Sequence, residues 1–415
     1  MAVDKLVDSA QLDSNLTSVA NAIRAKGETS ASLAFPSGFV SAIEAIPSGG
    51  GGSDVEDGMI TRTISGTYEN SRVTTIGNYA FTSCSSLTTV SFPVCTTIEY
   101  GAFNYCNMLT SAIFPVCTSI GSNAFSSCLR LATASFPACT SIGGGAFYGC
   151  NYLTTVTFPA CTTIGNGAFS FCRYLTTISF PSCTTIEYSA FYYCDNLTSA
   201  IFPACTSIGS YVFGNCSSLT TVDFPVCNSI GSGAFYGCNM LTTASFSACT
   251  SIGSSAFNYC NMLTTASFPI CTNIGGNAFG NCWRLATASF PSCTSIGNGA
   301  FSFCSSLTTV NFPVCKSIGS GAFSSCLRLA TASFPACTSI GSSAFQKCYY
   351  LISLYIMASS VAKLWHSNAF SSTPIAGYTT YTGGVYGNIY VPSSLYNAYK
   401  TSSNWTYFSE RFVSV

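Results

Sequence analysis

"CTSIGSNAFSSCLRLATASFPACTSIG", residues 117–143, decides how the rest of the chain is read. Its three cysteines each follow the last by eleven residues, and that spacing continues almost from end to end of the 415 residues. Aligned on its "AF" dipeptides, the chain repeats every 22 residues. One Phe column runs from Phe81 to Phe345 and a second from Phe92 to Phe334, both without a gap. The unit reads I-G-x-x-A-F-x-x-C-x-x-L-T-T-x-x-F-P-x-C-T-x. Thirteen copies fit, and Val212 is the only departure from Ala before the first Phe. A fixed period of about 20–50 residues marks stacked supersecondary units, each burying its apolar side on its neighbours.

All 25 cysteines fall in two columns, Cys84 to Cys348 and Cys95 to Cys337. Their column mates in the unit are Ile, Ala, Phe and Leu, and unpaired Cys packs as a small hydrophobe. The expectation is two buried ladders of free thiols, chosen for volume. Disulfides are the first alternative, but an odd number of cysteines cannot pair fully. Zinc is the second, but there is no C-x-x-C and His366 is the sole histidine.

Within one unit, "LTTVSFP" (Leu87 to Pro93) alternates near its end, as a half-buried strand does, and Pro93 stops the ladder. "TTI" after Cys95 gives a second short extended piece, and "IG" opens a turn. Phe81, Cys84 and Leu87 lie three apart, which predicts a single 3₁₀ or α turn. The fold class that follows is a repeat solenoid of about 13 coils of 22 residues with short parallel strands. At about 4.8 Å per coil, the array extends roughly 60 Å.

Net charge is zero and only 7 % of residues are charged. That argues against nucleic acid, whose affinity comes from Lys and Arg on phosphates, and against a polybasic membrane contact. With 48 % hydrophobic residues the chain does not carry the composition of a disordered one. No run reaches the ~18 apolar residues of a spanning helix. The N-terminus, "MAVDKLVDSAQLDSNLTSV", has no apolar core after Lys5, so Sec-type export is not expected of it.

The motif "L-x-x-V/A-x-F-P…I-G-x-x-A-F-x-x-C-x-x-L" resembles the BspA-like (Treponema pallidum-type) leucine-rich repeat, over about residues 76 to 350. Phe in place of the strand's second aliphatic and the "PxCT" step depart from that pattern. The resemblance implies a leucine-rich-repeat array and the roles of bacterial surface adhesins and host-recognition proteins.

Four segments are expected: a helical attachment module at 1–46, a Gly/Ser linker at 47–58, the solenoid at 59–350, and a last repeat with its cap at 351–415. In the first, Leu12, Leu16, Val19 and Ile23 recur at helical spacing, and Phe39 and Ile43 mark a second helix. Two such helices cannot bury a core alone and must dock on a partner or on copies of themselves. "LTSVANAIRAKGETSASLAFPSGFVSAIEAI" (Leu16 to Ile46) resembles N-terminal modules of tail and head fibre proteins of phages and prophages of Gram-positive hosts, which implies virion attachment. The C-terminal "IYVPSSLYNAYKTSSNWTYFSERFVSV" resembles the closing segment of BspA-like arrays. Its "NIYVP" predicts one more edge strand, and "SSLYNAYKTSSNW" a short helix over the last coil.

Columns that vary carry function more readily than columns that do not. The strongest variation flanks the AFxxC cysteine: Tyr148, Tyr152, Phe171, Arg173, Tyr174, Tyr192, Tyr193, Tyr236, Tyr259, Trp283, Arg284, Phe303 and Arg328. Other repeats place Ser, Asn or Gly there, so these positions are not core. Tyr, Trp and Arg on a rigid surface give large contact area at low entropic cost, and aromatic faces stack on sugars. Shielding of the coil edges is the competing reading of the same residues.

No Ser-His-Asp set, phosphate loop or close carboxylate pair stands out, and Glu99 and Glu187 lie four coils apart. The chain reads as non-enzymatic, without cofactor or metal. The expected partners are a bacterial surface glycan or protein, virion proteins through residues 1–46, and further copies of the chain. The two readings carried forward are a virion-associated recognition fibre and a bacterial surface adhesin, or a structural decoration without a ligand.

Overall fold

In a parallel array of equal coils, every side chain lies beside its own copy one strand spacing away, so each column must tolerate self-stacking. The computed structural model describes residues 64–415; the attachment residues Leu12, Leu16, Val19, Ile23, Phe39 and Ile43 lie outside them. Two-residue strands, from Thr75–Ile76 to Lys363–Leu364, pair Ile on Ile, and Leu364 on Ile340 at the last step, in one uninterrupted parallel sheet of fourteen strands. Ile points inward and is buried, while Thr or Ser faces out. The V/A-x-F segments form the second series, sixteen parallel strands from Ser65–Glu69 to Phe412–Ser414, broken into five sheets. The array therefore exceeds the thirteen coils that the AF dipeptides predict. The surplus comes from an irregular first strand, from Phe370, which stacks on Phe345 at 5.6 Å after a longer coil, and from two closing strands.

The core is two Phe ladders side by side. Phe81 and Phe103 stack at 4.9 Å with an 8° interplanar angle, and Phe92 and Phe114 at 5.3 Å and 10°. Across the ladders the rings meet edge to face, as Phe81 does Phe92 at 5.8 Å and 70°. Both geometries suit the ring quadrupole and add about 0.5–1.5 kcal/mol per pair beyond the area buried.

The thiols are buried throughout and none is in a disulfide among the described residues, and they do more than fill volume. From Cys106 to Cys348, each thiol of the AFxxC column donates to the Phe carbonyl of the preceding coil at 2.9–3.2 Å. In the other column, each donates to the carbonyl two residues on, Cys95 to Thr97 for example at 3.3 Å. Cys thus combines the size of a small hydrophobe with a donor, which Ala lacks.

The predicted 3₁₀ or α turn is not there. The Cys84 and Leu87 N–H groups do donate to the carbonyls three residues back, those of Phe81 and Cys84. The residues two before and two after the first Phe, however, adopt positive φ in every one of the thirteen coils, Tyr79 (58°) and Ser83 (59°) among them. Left-handed residues at both steps turn a would-be helix into linked turns. "NIYVP" forms the strand Asn388–Val391, but it is interior, because Phe412–Ser414 pairs outside it. The short helix is Tyr396–Thr401. Beyond it Trp405 and Phe408 close over Phe370, and the Trp405 indole donates to the Ala362 carbonyl at 2.6 Å.

Burial pushes the Cys95, Cys161 and Cys227 thiols up to about 11 and raises Cys172 further. Because folding raises these pKa values, the thiols' stabilisation is complete below their unfolded value of about 8.5 and is lost as pH rises through the folded values. Melting temperature should be indifferent to thiol ionisation below pH ~8 and fall progressively from about 8.5 to 11. At neutral pH a thiol reagent should find almost no reactive cysteine in native protein and close to 25 after denaturation. Calorimetry and a thiol titration check both, and ready native labelling would contradict the ladders.

Candidate functional site

The left-handed turns place the variable residues. For a large L-residue, positive φ costs about 1–2 kcal/mol, which Gly avoids and Asn tolerates. Of the thirteen residues that hold the second left-handed step, Gly149, Asn215, Gly237 and Asn281 suit it cheaply, whereas Tyr105, Phe171, Tyr193, Tyr259 and Phe303 do not. Tyr79 and Tyr211 strain the first step in the same way. None of these aromatics is in the core: Tyr105, Tyr259 and Phe303 are exposed, and Phe171 and Tyr193 half-buried.

Six adjacent coils bring the strained and unstrained rings into one belt. Tyr148 meets Phe171 at 5.4 Å, and Phe171 stacks on Tyr193 at 5.2 Å and 9°. Tyr193 meets Tyr192 edge-on at 4.6 Å, and Tyr192 reaches Tyr211 at 6.4 Å. Tyr211 continues to Tyr236 at 6.5 Å, Tyr236 to Tyr259 at 5.7 Å, and Tyr188 joins Tyr211 from the side at 6.2 Å. Partial burial beside Tyr193 raises the Tyr192 hydroxyl above its ordinary value, so it stays a neutral donor.

Of the sequence-derived ridge, the belt holds Tyr148, Phe171, Tyr192, Tyr193, Tyr236 and Tyr259. Tyr152 and Tyr174 pair separately at 5.7 Å. Next to that pair, Arg173 reaches Asp195 at 3.8 Å, the one ion pair among the described residues. Burial raises the Asp195 carboxyl and outweighs the opposing pull of Arg173, so this exposed pair adds little stability. Trp283, Arg284, Phe303 and Arg328 are all exposed and join no ring contact with the belt among the described residues. Sequence reasoning missed Tyr188 and Tyr211. The signal was available for Tyr211, whose column otherwise alternates among Gly, Asn and Ser apart from Tyr79.

A row of rings about 5–6 Å apart, edged with neutral hydroxyls, offers stacking faces and uncharged hydrogen bonds to an extended ligand. Among the described residues no group of three or more His, Cys, Asp or Glu could hold a metal ion, and no helix is long and apolar enough to cross a membrane.

Residues 64–176, 140–264, 184–293 and 272–383 match the BspA type leucine rich repeat region. The chain is similar in structure to a leucine-rich repeat protein from Bacteroides ovatus, at 27 % identity over 83 % of this chain and 88 % of that one, with a TM-score of 0.66. A leucine rich cell surface protein from Faecalibacterium prausnitzii is 25 % identical over 72 % and 86 %, with a TM-score of 0.44. The T. pallidum leucine rich repeat protein is 29 % identical over 37 % and 75 %, with a TM-score of 0.31. No curated protein matches the chain.

If the aromatics at left-handed steps do not serve folding, Phe303→Asn should leave the urea midpoint unchanged or raise stability by up to about 1 kcal/mol. Asn215 and Asn281 already hold the equivalent step at φ of 58° and 59°. A clear loss of stability would mean that the ring shields the coil edges.

Proposed function

We propose that this chain, which belongs to the BspA type leucine-rich repeat family, is a non-enzymatic binding protein whose aromatic belt engages a bacterial surface structure, most naturally a neutral glycan. The observation that carries the reading is the placement of Phe171, Tyr193, Tyr211 and Tyr259 at steps where the fold favours Gly or Asn. Residues that cost folding energy and lie on the surface in mutual contact answer to something other than folding. An extended polymer fits the belt better than a compact molecule, because the rings recur coil by coil over six coils. Protein surface partners would read the same rings as hot-spot residues.

Two settings share this chemistry. In the first, residues 1–46 tether the solenoid to a phage or prophage particle, a reading that rests on their resemblance to fibre modules. In the second, the protein is a bacterial surface adhesin, which the family membership supports. Incorporation into particles by a chain lacking residues 1–46 separates them: the fibre setting requires that incorporation be lost.

Tyr192→Ala/Tyr193→Ala should abolish binding to whole cells or to their purified glycan while leaving the melting temperature nearly unchanged. With so few charges, binding should weaken little between low and high salt. Unchanged binding by the double variant would remove the belt from the mechanism.

A further inference from the structure

The array's last step carries a feature outside the belt. Leu364 pairs with Ile340, so Trp365 occupies the register of Gly341 and of the Gly column behind it. At Gly341 a Cβ would approach the Ser320 nitrogen to 2.5 Å, so that position has no room for a side chain, although Glu99 and Glu187 hold the same register in earlier coils. At the end of the array it holds an indole that is 57 % exposed. The ring is fixed rather than loose: its Nε1 donates to the Ser339 hydroxyl at 2.9 Å, and Lys363 Nζ sits 3.5 Å from its centroid.

Trp365 borders an open cavity of about 330 Å³, together with Asn298, Ser320 and Ser342 and the backbone of Gly319 and Gly341. Asn298 Oδ1 accepts from the Ser320 nitrogen at 2.8 Å, which orients the amide and leaves its Nδ2 protons for another partner. Among the described residues the Ser320 and Ser342 hydroxyls make no hydrogen bond, and the two serines stand on neighbouring coils. The cavity is lined by no carboxylate, and Lys363 is committed to the ring.

We infer that this cavity is a second carbohydrate site, in which a neutral pyranose stacks on Trp365 while Ser320, Ser342 and the Asn298 amide bind its hydroxyls. A fixed aromatic face supplies apolar contact to the C–H side of a sugar, and oriented neutral donors and acceptors replace the water on its hydroxyls. The inference shares its ligand class with the proposed function but none of its residues, so the two fail separately.

Cellohexaose, maltohexaose and the hexamer of N-acetylglucosamine, titrated calorimetrically into the full chain, test it. At least one should bind saturably. Its affinity should fall about tenfold or more in Trp365→Ala and in Asn298→Ala/Ser320→Ala, and hold in Tyr192→Ala/Tyr193→Ala. Thermal melting confirms that each variant is folded. Absence of saturable binding by all three sugars, or binding indifferent to Trp365→Ala, overturns the site. Loss confined to the tyrosine variant places the sugar on the belt alone.

Discussion

Every residue in this solenoid lives beside its own copy, and that one constraint organises the molecule. Phe tolerates self-stacking, so it fills both core columns, with rings 4.9 and 5.3 Å apart in the first coils. Thiols tolerate it because, from Cys95 onward, each finds a carbonyl. Charges do not: a Lys or Glu repeated at strand spacing would face its like at about 5 Å, which destabilises a sheet. That accounts for a chain with only 7 % charged residues, in which Glu99 and Glu187 stand four coils apart and Lys316 interrupts a Thr column once. Hydroxyls are the polar solution, as in Thr118, which donates to the Thr96 carbonyl of the coil behind it at 3.2 Å.

Much of this was legible in the sequence, since a column that repeats thirteen times announces its environment. The Ile, Phe, Cys and Leu columns are all core, and the Thr-rich strand positions all face out. What was not legible depends on backbone angles. Phe81, Cys84 and Leu87 keep a spacing of three in linked turns as readily as in a 3₁₀ helix, and only the positive φ at Tyr79 and Ser83 separates the two. The thiol–carbonyl bonds were hidden for the same reason, because volume alone explains a buried Cys. The extra coil at Phe370 escaped the period because its loop is longer, and the closing strand Phe412–Ser414 has no repeat signature.

The candidate site was legible in part. Sequence variation marked Tyr148, Phe171, Tyr192, Tyr193, Tyr236 and Tyr259, but it could not say that they touch while Trp283 and Arg328 stand apart. Nor could it show that several of them hold backbone angles that a ring disfavours. That geometry turns a list of variable residues into an argument. A position where Gly is the easy choice and Phe or Tyr is present has been filled at some cost to the fold, and four of the seven such aromatics, Phe171, Tyr193, Tyr211 and Tyr259, belong to the belt.

The most direct test replaces Phe171, Tyr193 and Tyr259 together with Asn and reads stability and glycan or cell binding on the same protein. Binding lost with stability kept or increased is the predicted result, because the rings answer to a ligand and the fold prefers Asn at those angles. Stability lost with binding intact would contradict the account and return the belt to the packing of the coils.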